Sequence, residues 1–459
     1  MNILFYYVDT ESSSGLYTGL GIASLSGYLK KYNHITDLIY YRSKSDLEYG
    51  LKKIHDTSPT IIGFYSTSVG FNTVKDISYH IRKVYPHIYQ IYGGIHTTLN
   101  PESIYDISTI DAICVGYGEV PMLRFVEKIE NGSDNCNIEG LWIRPSQNQI
   151  SIIVKNSAYF PDIPPVEFLN FDYDIYLNEF KRFTDYDLTS FKLEVIFNRT
   201  CPFKCTFCSN QNLIKILGNK NFIPSPEESI SFLEKTLYKF RINYIKIHDD
   251  IITMNNKWFR SFVSLYAEKI GIPFTCNLRA GTFNDEDIKL LKKANVAKVW
   301  IGLESGNEFI RNVIMNKNIS NVQLRKSMEI LKKNDLNVFT QNIIGVPFES
   351  PKRFIDTIKL NAELNPAHSY LSVFYPYPKT KLHKLCLHEN IKFLKQSDDF
   401  KEREEAILDL PEFSPNKVHF YFKNFQKLIN YQKRRNKNKM KYFLPLKSWS
   451  ARFISILQK

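Results

Sequence analysis

Short apolar runs alternate with segments of helical periodicity along most of the chain. In the first part, apolar runs at 3–8, 60–65 and 89–92 are separated by helical spacing at 20–30 and 74–84, and a run at 112–115 leads into a further helix. This rhythm predicts a parallel sheet covered by helices, with the loops at the carboxyl ends of its strands open to a ligand. Three of those loops stand out: Ser66-Thr67-Ser68, Gly93-Gly94-Ile95-His96 and Gly116-Tyr117-Gly118-Glu119. Residues 131–190 are rich in Asn, Asp and Pro, including Pro161, Pro164 and Pro165, and read as a linker with a small hairpin. From 193 the alternation resumes, with strands at 193–198, 244–248, 273–277, 298–303, 337–343 and 369–374. Helices at 226–240, 256–269, 285–294, 321–333 and 353–364 fall between them. Six strand–helix units predict an open, partial β/α barrel, in which chemistry sits at the carboxyl ends of strands.

The expected fold class is therefore α/β. A Rossmann-like domain over 1–135 is followed by a linker with a hairpin over 136–190, a partial (β/α)6 TIM-type barrel over 191–390, and a helical C-terminal region over 391–459. A length of 459 residues is too great for one ordinary core, in keeping with this division.

Charge changes the picture only at one end. The formal net charge is +13, but residues 413–459 hold twelve Lys or Arg and no Asp or Glu, so the rest of the chain carries only +1. The basic run from Lys433 to Lys441 precedes apolar positions Leu446, Trp449, Phe453, Ile456 and Leu457, which would form one stripe on a helix. Such a tail suits a membrane surface bearing anionic lipid. A stripe packed on the barrel and RNA binding are the alternatives, and no aromatic-rich RNA motif interleaves with the charges. With no run of eighteen apolar residues and no signal-peptide pattern over 1–9, the expectation is a cytoplasmic protein, peripheral to a membrane through its tail at most.

Of seven cysteines, three are crowded into Cys201-Pro-Phe-Lys-Cys205-Thr-Phe-Cys208, directly after the first strand of the expected barrel. Thiolates are the soft ligands that iron–sulfur clusters require. Three of them leave one iron of a four-iron cubane open to a further ligand. A zinc knuckle is the alternative, with Cys276 or His248 as fourth ligand, but zinc sites favour paired ligands at two places.

Cys-x3-Cys-x2-Cys in this position, with aromatic Phe207 before the third Cys, resembles the radical S-adenosylmethionine (radical SAM) superfamily. Later strand ends extend the likeness: His248-Asp249-Asp250, Asn277-Leu278-Arg279-Ala280-Gly281, Gly302-Leu303-Glu304-Ser305-Gly306, Gly345-Val346-Pro347 and 375–380. The resemblance implies a 4Fe-4S cluster on Cys201, Cys205 and Cys208, whose open iron is chelated by the amino and carboxylate groups of SAM. It also implies reductive cleavage of the sulfonium to a 5′-deoxyadenosyl radical, with electrons from a donor such as a flavodoxin or ferredoxin. It suggests Asp249 or Asp250 for the SAM ammonium, Arg279 for a carboxylate and Glu304 for the ribose or another polar group. Capping by the aspartates and an internal Arg279–Glu304 ion pair are the plain structural alternatives.

The three N-terminal loops, taken in order, are similar to the cobalamin-binding domain that precedes many radical SAM barrels. The resemblance then implies that Ser66, Thr67, Ser68, Gly93, Gly94, His96, Gly116, Gly118 and Glu119 line a cobalamin site. The Asp-x-His-x-x-Gly signature of a lower cobalt ligand is absent, so binding without protein ligation of cobalt is expected, with an empty, vestigial domain as the alternative. The implied reaction is methyl transfer to an unactivated carbon or phosphorus of a small-molecule or lipid substrate. Two other readings stay open: a different radical rearrangement, or a zinc-stabilised RNA- or membrane-binding scaffold.

Overall fold

The computed structural model describes residues 1–10, 16–145, 152–183, 191–218, 222–394 and 401–441. Its first sheet contains β1 (Asn2–Val8), β2 (Ile35–Tyr41), β3 (Ile61–Tyr65), β4 (Tyr89–Gly93), β5 (Ala112–Cys114), β6 (Leu141–Ile143) and β7 (Val154–Lys155). The spatial order is β2-β1-β3-β4-β5-β6-β7. The first five strands are parallel. Strand order reverses between β1 and β3, which opens a crevice at the carboxyl ends of these strands.

Two features extend the sequence expectation. β2 and the helix Asp46–Thr57 form an additional strand–helix unit; that helix buries only Asp46, Gly50 and Ile54, so its apolar signal is thin. The hairpin expected in the linker is β6–β7, and it pairs antiparallel onto the edge of β5, continuing the first sheet instead of standing apart.

The second sheet holds β8 (Phe191–Val195), β9 (Ile242–Ile247), β10 (Phe274–Leu278), β11 (Val296–Glu304), β12 (Val338–Ile344) and β13 (His368–Val373). They lie in consecutive order, all parallel, with β8 and β13 as edges. This is the expected half-barrel. Sequence dictates its helix starts: Ser225 with Glu228, Asn284 with Asp287 and Ser320 with Gln323 form reciprocal capping boxes ahead of Pro226–Lys239, Asp285–Lys293 and Asn321–Lys333. Ser350 caps Pro351–Leu364, whose first residue is a proline that needs no N–H partner there.

The domains share one core. Ile3, Phe5 and Ile91 of the first sheet belong to the same buried cluster as Ile245, Val299 and Ile301 of the second. Ionic contacts add to it: Arg199 Nη1 lies 3.5 Å from Glu119 Oε1, and Lys379 Nζ 2.8 Å from Glu102 Oε2.

The long helix Pro415–Lys441 packs Tyr421 and Phe425 against Phe354 of Pro351–Leu364, so it completes the barrel's coat. The basic run continues this packed helix. The stripe at 446–457 lies outside the described residues. No helix among the described residues is long and apolar enough to cross a membrane.

Candidate active site

The three cysteines occupy the loop that follows β8. Cys205 is buried, and Cys201 and Cys208 are half-buried. Backbone bonds hold the loop from the far side of the barrel. Thr206 donates its N–H to the Met315 carbonyl at 2.9 Å and its hydroxyl to Ile314 at 2.6 Å, and its carbonyl accepts the Leu382 N–H at 3.0 Å. Asn316 Nδ2 donates to the Lys204 carbonyl at 2.8 Å. A loop anchored at both flanks keeps three thiols at one fixed place. Burial pushes the Cys208 thiol up to about 12, and Asp250 and the two other cysteines push the same way. For Cys201 burial again raises the thiol, while Arg279 favours its ionised form. The three sulfurs thus sense one another across a small space. Among the described residues no three His, Cys, Asp or Glu side chains converge on a single metal ion. A cubane, in contrast, distributes its ligands over separate irons. Phe207, beside the third thiol, packs part of its ring on the buried cluster that contains Ile314, Met315 and Phe374.

The strand-end residues divide into those turned to the mouth and those used by the fold. Asp249 is 1% exposed, and its Oδ1 accepts the Phe197 N–H at 2.8 Å, tying the end of β9 to β8. Burial pushes its carboxyl up to about 7. Asp250 is exposed and held by Asn210 Nδ2 at 2.7 Å. Of the two aspartates, Asp250 is the more exposed. Arg279 lies with its guanidinium 3.7 Å from the centre of the Phe203 ring, inside the cysteine loop, and donates to the Lys317 carbonyl.

Lys317 in turn pairs with Glu304, Nζ to Oε1 at 2.7 Å, both side chains 9% exposed. The direct Arg279–Glu304 pair considered from sequence is therefore replaced by a relay through Lys317. β11 makes room for it. The register slips between Gly302 and Glu304, Glu304 takes φ +62°, and a Cβ on Gly302 would lie 2.3 Å from Glu304 Oε1 and 2.6 Å from Lys317 Nζ. Lys317, Asn210 and Arg199 escaped sequence reasoning because each lies between recognisable elements; only Arg199, two residues before Cys201, carried a positional hint.

The N-terminal loops converge on the same mouth. Val69, after β3, sits in one cluster with Ile314, Met315 and Phe374 of the barrel. Within these loops several expected ligand contacts are spent internally. Ser66 is fully buried and bonds Tyr92 Oη at 2.6 Å. Thr67 Oγ1 accepts the Val69 N–H at 3.4 Å. Ser68 Oγ meets His96 Nδ1 at 3.1 Å. A Cβ on Gly94 would strike the Tyr65 ring at 2.5 Å, and one on Gly116 would meet Leu217 and the Tyr159 carbonyl at 2.8 Å, so both glycines, at φ +104°, serve packing. Gly93 leaves room only for an ordinary contact with Cys114, and Gly118 approaches Leu25. Glu119 is 2% exposed, accepts from Ser24 at 2.6 Å and faces Arg199, making it an interdomain tie. His96 is 5% exposed with its ring 4.7 Å from Phe71, and burial pushes it down to about 4, so the imidazole is neutral; its Nε2 has no hydrogen-bond partner among the described residues.

Comparison with known proteins matches this arrangement domain by domain. The radical SAM superfamily profile covers residues 195–360 and the B12 binding domain profile residues 8–126. The chain carries a radical SAM domain, with a B12-binding domain ahead of it. The uncharacterized methyltransferase PH0819 of Pyrococcus horikoshii is 26% identical over 85% of this chain and 84% of its own. Anaerobic magnesium-protoporphyrin IX monomethyl ester cyclase of Rubrivivax gelatinosus is 24% identical over 83% of this chain and 69% of its own, and cytidylyl-2-hydroxyethylphosphonate methyltransferase of Streptomyces wedmorensis is 20% identical over 72% of this chain and 69% of its own. Two solved radical SAM structures share the fold. TsrM of Kitasatospora setae has a TM-score of 0.69 at 12% identity, covering 84% of this chain and 76% of its own. The cobalamin-dependent enzyme OxsB has a TM-score of 0.61 at 16% identity, covering 94% of this chain and 56% of its own.

A 4Fe-4S cluster and SAM go with the radical SAM domain, and cobalamin with the B12-binding domain. The residues present fit both. Three anchored soft donors beside Arg279 and Asp250 suit a cluster with a zwitterionic ligand. The unpartnered His96 Nε2, and the loops after β3 and β5 set against the barrel through Val69, Gly116 and Tyr117, suit a large ligand at the carboxyl edge of the first sheet.

Proposed function

We propose that this radical SAM enzyme is a cobalamin-dependent methyltransferase acting on an unactivated carbon or phosphorus of a small molecule. The observation that carries the reading is the direct tie between the two cofactor domains: Arg199, two residues before Cys201, faces Glu119 at the head of a B12-domain helix. Its guanidinium also lies 5.7 Å from the Tyr117 ring, in the loop after β5. The two relatives named as methyltransferases point the same way.

In this reading Cys201, Cys205 and Cys208 hold the cluster, Asp250 meets the SAM ammonium and Arg279 its carboxylate. Glu304, neutralised by Lys317, accepts a hydroxyl. When bound, the cofactors supply reductive cleavage of SAM and a methyl carrier. The chain's contribution is to fix distances and exclude water. Reducing equivalents come from a flavodoxin- or ferredoxin-type donor, and the basic tail is assigned to an anionic membrane surface.

Anaerobic reconstitution with iron and sulfide, followed by addition of SAM, cobalamin and a reductant, tests this. Expected are a visible-absorbing cluster, 5′-deoxyadenosine, and corrin retained through gel filtration, with the first two lost in a Cys201→Ala/Cys205→Ala/Cys208→Ala variant. A cluster with no retained corrin would favour radical chemistry without methyl transfer. Zinc in place of iron would overturn the reading.

A further inference from the structure

The inner face of the half-barrel carries chemistry that the cofactor site does not use. Burial alternates along the strands: Leu193, Ile245, Ile247, Val299 and Ile301 are buried in the core shared with the helices. Between them Lys192, Lys246, Lys298, Trp300, Phe339 and Tyr370 remain partly or fully open. Register brings the cations together. Glu194 stands opposite Lys246, Lys246 opposite Thr275, and Thr275 opposite Lys298. Lys192 is one inward position earlier on β8.

Two of these three ammonium groups, Lys192 and Lys246, share one carboxylate. Glu194 Oε1 is 3.4 Å from Lys246 Nζ and 3.8 Å from Lys192 Nζ, and His248 Nε2 is 3.5 Å away. Lys298 has no carboxylate partner among the described residues. Its Nζ lies instead 5.6 Å from the Trp300 ring centre and 5.0 Å from that of Phe339. Trp300 continues the aromatic surface to Phe339 at 5.2 Å and to Tyr370 at 4.9 Å between centroids. Crowding is felt at Lys192, whose ammonium is lowered by burial first and then by Lys246, against the pull of Glu194. A face with surplus positive charge beside flat apolar rings is complementary to one kind of ligand.

We propose that this face binds the substrate, and that the substrate is an organic anion, carboxylate or phosphate, with a flat apolar body. Lys192, Lys246 and Lys298 hold the acid group, and Trp300, Phe339 and Tyr370 carry the body. Gly302, at the cofactor level, lies on the order of 13 Å along β11 from Lys298. An anion seated on the lysines therefore presents the far end of a rigid ring system to the strand ends, where the reaction takes place. The site deepens the proposed methyltransferase function and depends on it only for that last step.

The test is an emission titration of reconstituted holoenzyme with 1-pyrenebutyrate and with 1-pyrenebutanol, which share a ring system and differ in charge. The carboxylate should bind about tenfold more tightly, with a preference that shrinks as salt is raised. Lys192→Gln/Lys246→Gln/Lys298→Gln should erase the preference, and Trp300→Ala should weaken both probes alike. Lys192→Glu guards against a folding defect, because that side chain is 44% exposed; it should weaken the carboxylate and spare the alcohol. Equal affinities in the unmodified enzyme, or a preference that survives the triple substitution, would overturn the proposal. Deoxyadenosine formation is measured on the same unmodified preparation. A charge preference without SAM cleavage would leave the anion site standing and sink the enzymatic reading, and the opposite pair would do the reverse.

Discussion

Asp249 shows how a residue at the right place for a ligand can be claimed by the fold. Its carboxyl is raised from 3.8 to about 7 by burial, while the Phe197 N–H it accepts opposes the shift. Because the folded value lies above the ordinary one, its stabilising contribution is full at low pH and declines as pH rises from about 4 toward 7, levelling beyond. Asp249→Asn keeps the acceptor oxygen and should remove that decline, as read by denaturant unfolding at a series of pH values. Asp249→Ala strands the buried N–H and should cost about 1–3 kcal/mol at any pH. Gly306 is constrained by space. An added Cβ would lie 2.2 Å from the Asp356 carbonyl oxygen and 2.6 Å from Thr357 Cα, backbone atoms that cannot swing aside. Gly306→Ala should cost roughly 1–3 kcal/mol in thermal unfolding. It should also weaken SAM binding in equilibrium dialysis, since the same turn carries Glu304.

At the scale of elements, the barrel helices begin where side chains close their first turns. Ser320 Oγ accepts the Gln323 N–H at 3.1 Å, and Gln323 Oε1 accepts the Ser320 N–H at 2.9 Å. Ser320→Ala should lower stability by about 1 kcal/mol, and Ser320→Thr should recover most of it; calorimetry separates the two. This cap also ends the segment that holds Lys317 against Glu304 and Met315 against the cysteine loop. A further buried cation fixes the preceding turn. Arg311 is fully buried and donates to the carbonyls of Ser305 at 2.6 Å and Ile319 at 2.7 Å, bridging the end of β11 to that segment.

For the molecule as a whole, the decisive contact is between domains. Glu119 is 3% exposed at its side chain and Arg199 20%, so removing one partner leaves a charge without compensation. Glu119→Ala should cost on the order of 3 kcal/mol. A cycle with Arg199→Met should show a coupling of about 0.5–3 kcal/mol; simple additivity would show that the pair does not join the domains. The hydrophobic pattern, read alone, determined the half-barrel, its helices and the cysteine loop, because periodicity and capping are local and the three ligands lie within eight residues of sequence. It also located the strand-end loops. What it could not decide was which polar side chains those loops leave free. Asp249 looks like Asp250 in sequence, and only the partners offered by distant segments separate a buried clamp from a more exposed carboxylate. The same holds for β2 and for the lysine-lined inner face: a parallel strand pairs with segments far along the chain, so which charges become neighbours is set by register across strands and not by spacing along one.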